Sequence, residues 1–321
     1  VSWRRALLAL IGAGLSVSAQ ADDVDPEYQA FQKSFLELQA KDARIASMGW
    51  RLVQSNSRFC PKTERQTGLL LQDAKAYARP EWVYQIIGKG GDIFVQAIAG
   101  GSPAESAQLD RFDKILAVDG VETADLRANK DIGWERIGRV YDIAAKSLRE
   151  DSILEMALAS GANISVSGAQ VCATRFEVIT GRDTIGADGS KIRVGRDFPG
   201  FGYAEDEFAA ALAHELAHNI FGHPQSLNAN GRKRRDVRRT EREADRLMPW
   251  LLSNAGYDPQ AAVRFMRRWG PKHNGGLFRS RTHDGWDERV ELIEAEIRRL
   301  EMILIQHGEA DWSKHFARQE R

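Results

Sequence analysis

Residues 205–222 read EDEFAAALAHELAHNIFG, and the rest of the chain can be read outward from them. Phe208, Leu212, Leu216 and Ile220 recur every four positions, which is one apolar stripe of an α-helix. Glu205, Asp206 and Glu207 occupy its first turn, where the helix dipole favours negative charge. His214 and His218 are also four apart, so both imidazoles lie on one face and can reach a single metal ion. Glu215 sits one step round the same helix, within reach of a water at that metal.

This is a His-Glu-x-x-His pattern, and a catalytic zinc built on it needs a third protein ligand and an open position. Residues 240–245, TEREAD, offer that ligand. Thr240 and Glu243 read as a capping box that begins a helix, leaving Glu241 and Asp245 on one face. Glu241 can complete the ligand set, and Asp245 can accept a hydrogen bond from a liganding histidine and hold its tautomer. Taken alone, such a segment reads as a solvated helix start; beside the histidine helix the ligand reading prevails. His223 does not extend the ligand pattern. A third histidine six positions after His218, with glycine three after, would be required, and Gly222 and His223 fall four and five after it. Pro249 lies inside the proposed ligand helix and predicts a kink just past Asp245.

HELAH followed by EREAD resembles the M48 family of gluzincin zinc peptidases. The stretch AGYDPQA at 255–261 and Arg281-Thr282-His283 with Arg289 agree with it, and the likeness covers roughly 171–300. The resemblance implies one zinc per chain on His214, His218 and Glu241, with Glu215 as general base for hydrolysis of peptide bonds in polypeptide substrates. It also implies an active-site role for His283. Arg289 matches the family's arginine, with a salt bridge to a neighbouring helix as the alternative. Asp284 stands where the family carries proline, which leaves any switch by His283 open. Ser190 to Val194 resembles the edge strand against which such peptidases align substrate.

Residues 80–170 differ in texture, with short β-type runs at Trp82–Ile87 and Ile93–Val95 broken by glycines. GSPAESAQL at 101–109 reads as a glycine turn and a short helix opened by Ser102 and Pro103; DKILAVDG at 113–120 reads as a strand ending in an Asp-Gly turn. That order resembles a PDZ module of the bacterial protease type, specifically over 93–121. The resemblance implies a module that takes an extended peptide by strand addition, or one that serves as a spacer. Cys60 and Cys172 flank it closely. A disulfide between them, which could stabilise by about 4–5 kcal/mol, would clamp the neck of an inserted domain; two buried thiols are the alternative.

The chain has 321 residues, 45 Lys+Arg against 45 Asp+Glu and 43% hydrophobic residues, which excludes collagen-like and wholly disordered classes. Two cysteines exclude a disulfide scaffold and a four-cysteine zinc site. Residues 1–21 read as a secretory signal peptide: Arg4 and Arg5, an apolar run of about 12 residues, then Ala19-Gln20-Ala21. That run is shorter than the roughly 20 residues that span a bilayer. A periplasmic or secreted location follows, and no nucleic-acid partner is expected. The basic run Arg232–Arg239 then reads as a solvated loop between the two metal helices, with an anionic-surface patch as the alternative. Residues 26–55 and Asp287–Gln306 read as amphipathic helices.

The expected architecture is α+β. A mainly helical zincin-like domain, 22–79 and 171–321, is interrupted by a small β-rich PDZ-like domain at 80–170. Two functions fit: an exported zinc endopeptidase whose module selects substrates in envelope quality control, or a non-proteolytic, chaperone-like peptide binder with a structural metal.

Overall fold

The computed structural model describes residues 25–127, 134–273 and 284–318. The expected signal peptide and His283 lie outside the described residues. The chain is a mixed α+β fold with several small sheets and a helical core. It opens on the expected helix, α1 (Pro26–Ser55), whose N-terminus is capped by the Asp25 side chain on the Glu27 N–H at 2.9 Å. Phe35, Ile45, Leu52 and Val53 bury its apolar face.

A β-rich stretch follows: β1 (Thr63–Gln66), β2 (Leu69–Asp73), α2 (Pro80–Ile87), β3 (Ile93–Ile98), β4 (Ile115–Val118), β5 (Val121–Glu122), α3 (Glu135–Glu150), β6 (Ile153–Leu158), β7 (Asn163–Ser167) and β8 (Ala169–Cys172). Strands β5-β4-β6-β7 form one antiparallel sheet and β2-β3 another. Strands β1 and β8 pair as a two-stranded ribbon in which Thr63 faces Cys172. The Cys60–Cys172 disulfide is formed across a Cα separation of 5.5 Å. The chain therefore enters and leaves this stretch through one neck, closed by a ribbon and a covalent bond. Leu71, Val95, Ile115, Val140, Leu154 and Val166 belong to a hydrophobic cluster of its own.

Residues 82–87, expected as strand, are helical. Pro80 opens α2, and Val83 and Ile87, four apart, are buried against Phe35 and Phe94. Strand β2 pairs with β3 on one side only among the described strands. Its other edge is satisfied by side chains. The Leu71 N–H donates to the Tyr141 hydroxyl at 2.8 Å, that hydroxyl donates back to the Leu71 carbonyl at 3.1 Å, and the Leu69 N–H donates to Thr67 Oγ1 at 3.3 Å. A cleft beside this edge is lined by Leu69, Leu71, Tyr141, Leu148, Trp50 and Phe176.

The chain continues through β9 (Arg175–Ile179), β10 (Ile185–Ala187) and β11 (Lys191–Gly195), in the spatial order β10-β11-β9. The run 190–194, expected at a sheet edge, is central. Its outward Lys191 and Arg193 both pair with Glu177 of β9, at 2.9 and 2.7 Å, while Ile192 and Val194 turn into the core. The strand at the margin beside the helices is β10.

The helical part comprises α4 (Glu205–Ile220), α5 (His223–Ala229), α6 (Arg234–Asn254), α7 (Ala261–His273), α8 (Trp286–His307) and α9 (Trp312–His315). Phe208, Leu212 and Leu216 of α4 pack with Leu247 and Leu251 of α6, Met266 of α7 and Ile293 of α8 in the largest core. Two expectations change. Helix α6 begins at Arg234, so the basic run is largely helical rather than a loop. Thr240 is then an interior residue whose hydroxyl donates to the Val237 carbonyl at 2.8 Å, not a cap, and Glu243 is released for other contacts. Pro249 lies within α6, which runs on to Asn254. No helix among the described residues is long and apolar enough to cross a membrane.

Candidate metal centre

Helices α4 and α6 pack side by side, and their contact brings together residues that the sequence separates by more than 20 positions. His214 and His218 project from consecutive turns of α4 with their Nε2 atoms 3.2 Å apart. Glu241 of α6 faces both: its Oε2 lies 3.4 Å from His214 Nε2 and its Oε1 3.5 Å from His218 Nε2. The three ligand atoms lie within 4.8 Å of one another, and both histidines are buried.

A carboxylate stands directly behind His214, and behind His218 only through a further histidine. His214 Nδ1 is 3.1 Å from Asp245 Oδ1, and Asp245 receives two bonds from Arg289, at 2.6 and 2.7 Å. Arg289 of α8 thus neutralises the fully buried Asp245 carboxylate that lies against His214 Nδ1. His218 has a longer support. Gly222 takes a left-handed conformation (φ 65°) between α4 and α5, and this turn brings His223 back against the metal helix. His223 Nδ1 lies 3.0 Å from His218 Nδ1, its Nε2 3.0 Å from Glu243 Oε2, and Arg318 Nη2 2.9 Å from the same oxygen. None of these three was a candidate from sequence. The Gly222-His223 pair directly after α4 is the one sign of this support that the sequence carries.

The electrostatics follow from this packing. For His214, burial lowers the pKa, but Asp245 and Glu241 outweigh it and hold the ring at about 10. Burial drives His218 down to about 3. The two rings are thus pushed in opposite directions, His214 towards its charged form by its carboxylate neighbours and His218 towards its neutral form by burial. Burial also pushes Glu215 up to about 7; His214 opposes this, Glu241 adds to it, and the Ala187 N–H of β10 and Arg289 oppose it. Burial would raise Asp245, but Arg289 and His214 hold it below its ordinary range.

Two imidazole nitrogens and one carboxylate oxygen form the donor set of a three-ligand zinc site with an open fourth position. Hard cations such as Mg²⁺ and Ca²⁺ prefer oxygen ligands throughout. The residues fit zinc. Of the other expected site residues, His283 lies outside the described residues; the neighbouring Asp284, which stands in place of a proline, forms a two-point pair with Arg242 of α6 at 2.5 and 3.0 Å. No protein-family model matches the chain, and the search of curated proteins found no match.

Proposed function

We propose that the protein is an exported zinc endopeptidase of the M48 type, in which the β-rich stretch is an inserted PDZ-like module. The observation that carries this reading is the convergence of His214, His218 and Glu241 with Glu215 one residue along the same helix. A purely structural metal has no use for a neighbouring carboxyl near neutrality; hydrolysis does. His214, His218 and Glu241 would hold one zinc. When bound, zinc supplies Lewis acidity, polarising a carbonyl and lowering the pKa of water towards about 7. Glu215 takes a proton from the attacking water and passes it to the departing amine, a task suited to a carboxyl near pKa 7. Asp245 and Arg289 hold His214 in place through both events.

In this reading a leader at 1–21 precedes a zincin-like host, 22–79 with 171–321, and the module occupies 80–170. The core that contains Leu71, and the β1–β8 ribbon, favour drawing the module's first boundary earlier, near β2. The disulfide at the neck suits an oxidising compartment. The cleft between β2 and α3 is the place where an extended segment could add, after displacing the Tyr141 hydroxyl.

That cleft also favours a second reading, a peptide binder whose metal is structural. Zinc analysis of the purified chain with casein digestion, with and without chelator, separates the two. The peptidase reading expects one zinc per chain and cleavage that chelator removes and zinc restores. A zinc-loaded protein that leaves casein intact would favour the binder.

A further inference from the structure

The two histidines of the cluster are supported differently, and the difference determines where a proton sits. His223 is 2% exposed and lies between His218 and Glu243, with 3.0 Å to each. Two ring nitrogens at that separation share one proton, donated by one ring and accepted by the other. The Glu243 carboxylate only accepts, so His223 presents its Nε2–H there. In a neutral ring this leaves a lone pair on His223 Nδ1, and the shared proton belongs to His218 Nδ1. The remaining lone pair of His218 is then on Nε2, which faces Glu241 and His214.

We propose that His223, backed by Glu243 and Arg318, is a positioning residue that fixes His218 in the Nδ1–H tautomer and so presents its Nε2 lone pair to the cluster. The proposal rests on reading that cluster as a metal site, yet the tautomer is a property of the metal-free protein and can be measured there. Arg318 is built into the chain of contacts rather than resting on it. Its guanidinium lies 4.3 Å from the centre of the Phe221 ring, Phe316 stacks on Phe221 at 5.6 Å, and the Ala317 carbonyl accepts from Arg246 at 3.0 Å. The segment after α9 therefore closes the back of the site, 75 residues beyond Glu243.

The test uses His223→Gln and His223→Leu. The glutamine amide can accept from His218 Nδ1–H and donate to Glu243, reproducing both contacts; leucine can make neither. Long-range ¹H–¹⁵N correlation spectra of the metal-free protein report the His218 tautomer, and chelator competition reports zinc affinity. We expect Nδ1–H in the wild type and the glutamine variant, and mixed tautomers in the leucine variant. Zinc binding should weaken about 10–100-fold in the leucine variant and only a few-fold with glutamine. Arg318→Ala, at the half-exposed end, is the milder substitution should the leucine variant not fold, and it should shift both readouts the same way by less. Unchanged tautomer and zinc affinity in whichever of these two variants folds would overturn the proposal. A wild type that binds no zinc would refute the metal-site reading, while the spectra alone would still decide whether His223 sets the tautomer.

Discussion

In the β-rich region Asp73 and Arg136 are 0% and 4% exposed and meet in a two-point pair, with Arg136 reaching on to Asp92 at 2.9 Å and the Lys75 N–H donating to Asp73 at 2.8 Å. Between α4 and α6 the buried charges are arranged the other way round. There the carboxylates and arginines stand at the back, and the lone-pair-bearing edges of two imidazoles and Glu241 face one another. In the first cluster each charged group is matched by a fixed partner. In the second, Arg289 backs Asp245 and reaches Glu241 at 3.7 Å, while the forward edges of both imidazoles converge on the same Glu241 carboxylate. Burial of charge is common to both, so burial alone does not mark a site; the direction in which the donors point does.

Removing a fixed partner should have the largest effect. Arg136→Met leaves Asp73 buried without its cation and should cost about 3–5 kcal/mol of stability by urea denaturation, with zinc stoichiometry unchanged. A third way of handling buried charge appears where α1, β3 and β9 meet. Burial, with a contribution from Glu177, pushes the Asp42 carboxyl up to about 7 against the pull of the Val178 N–H, at 3.0 Å, and the Gln96 amide. Between about pH 4 and pH 7 the folded protein holds a proton there that the unfolded chain lacks, so this contribution to stability falls as pH rises through that window. The loss amounts to at most roughly 4 kcal/mol, and Asp42→Asn should flatten the wild type's decline in urea midpoint between pH 5 and pH 8.

Taking a donor from the open cluster should affect binding rather than folding. Glu241→Ala should lower zinc affinity by more than the about 100-fold typical of outer supports, with the circular dichroism spectrum preserved. The smallest effect concerns the β2 edge. Tyr141→Phe leaves the Leu71 N–H and carbonyl without the hydroxyl, costing about 1–3 kcal/mol, and should strengthen binding of an extended peptide to the cleft. A variant as stable as wild type with no gain in peptide binding would remove the cleft from the functional account.

The parts of this arrangement that were legible in sequence are those written within one helix. Four-residue steps placed His214 and His218 on a common face, and the same spacing set Glu241 and Asp245 apart from Glu243. What the capping-box reading missed was that α6 begins six residues before Thr240, because long arginine side chains extend into solvent and favour helix without any apolar period. That error assigned Glu243 to a helix end and concealed its contact with His223. The contacts behind His218 run through His223, Glu243 and Arg318; the Gly222 turn brings the first of these back, and only packing brings the other two. The apolar run 82–87 was ambiguous for a related reason: six residues are too few to distinguish a two-residue period from a 3.6-residue one, and Pro80 was the stronger signal.

The central claim is that the cluster serves hydrolysis and not merely metal retention, and Glu215→Gln tests it most directly. The account predicts one zinc per chain in both wild type and variant, with casein cleavage reduced about 10²–10⁴-fold in the variant. A zinc-loaded Glu215→Gln protein that cleaves casein at the wild-type rate would contradict it.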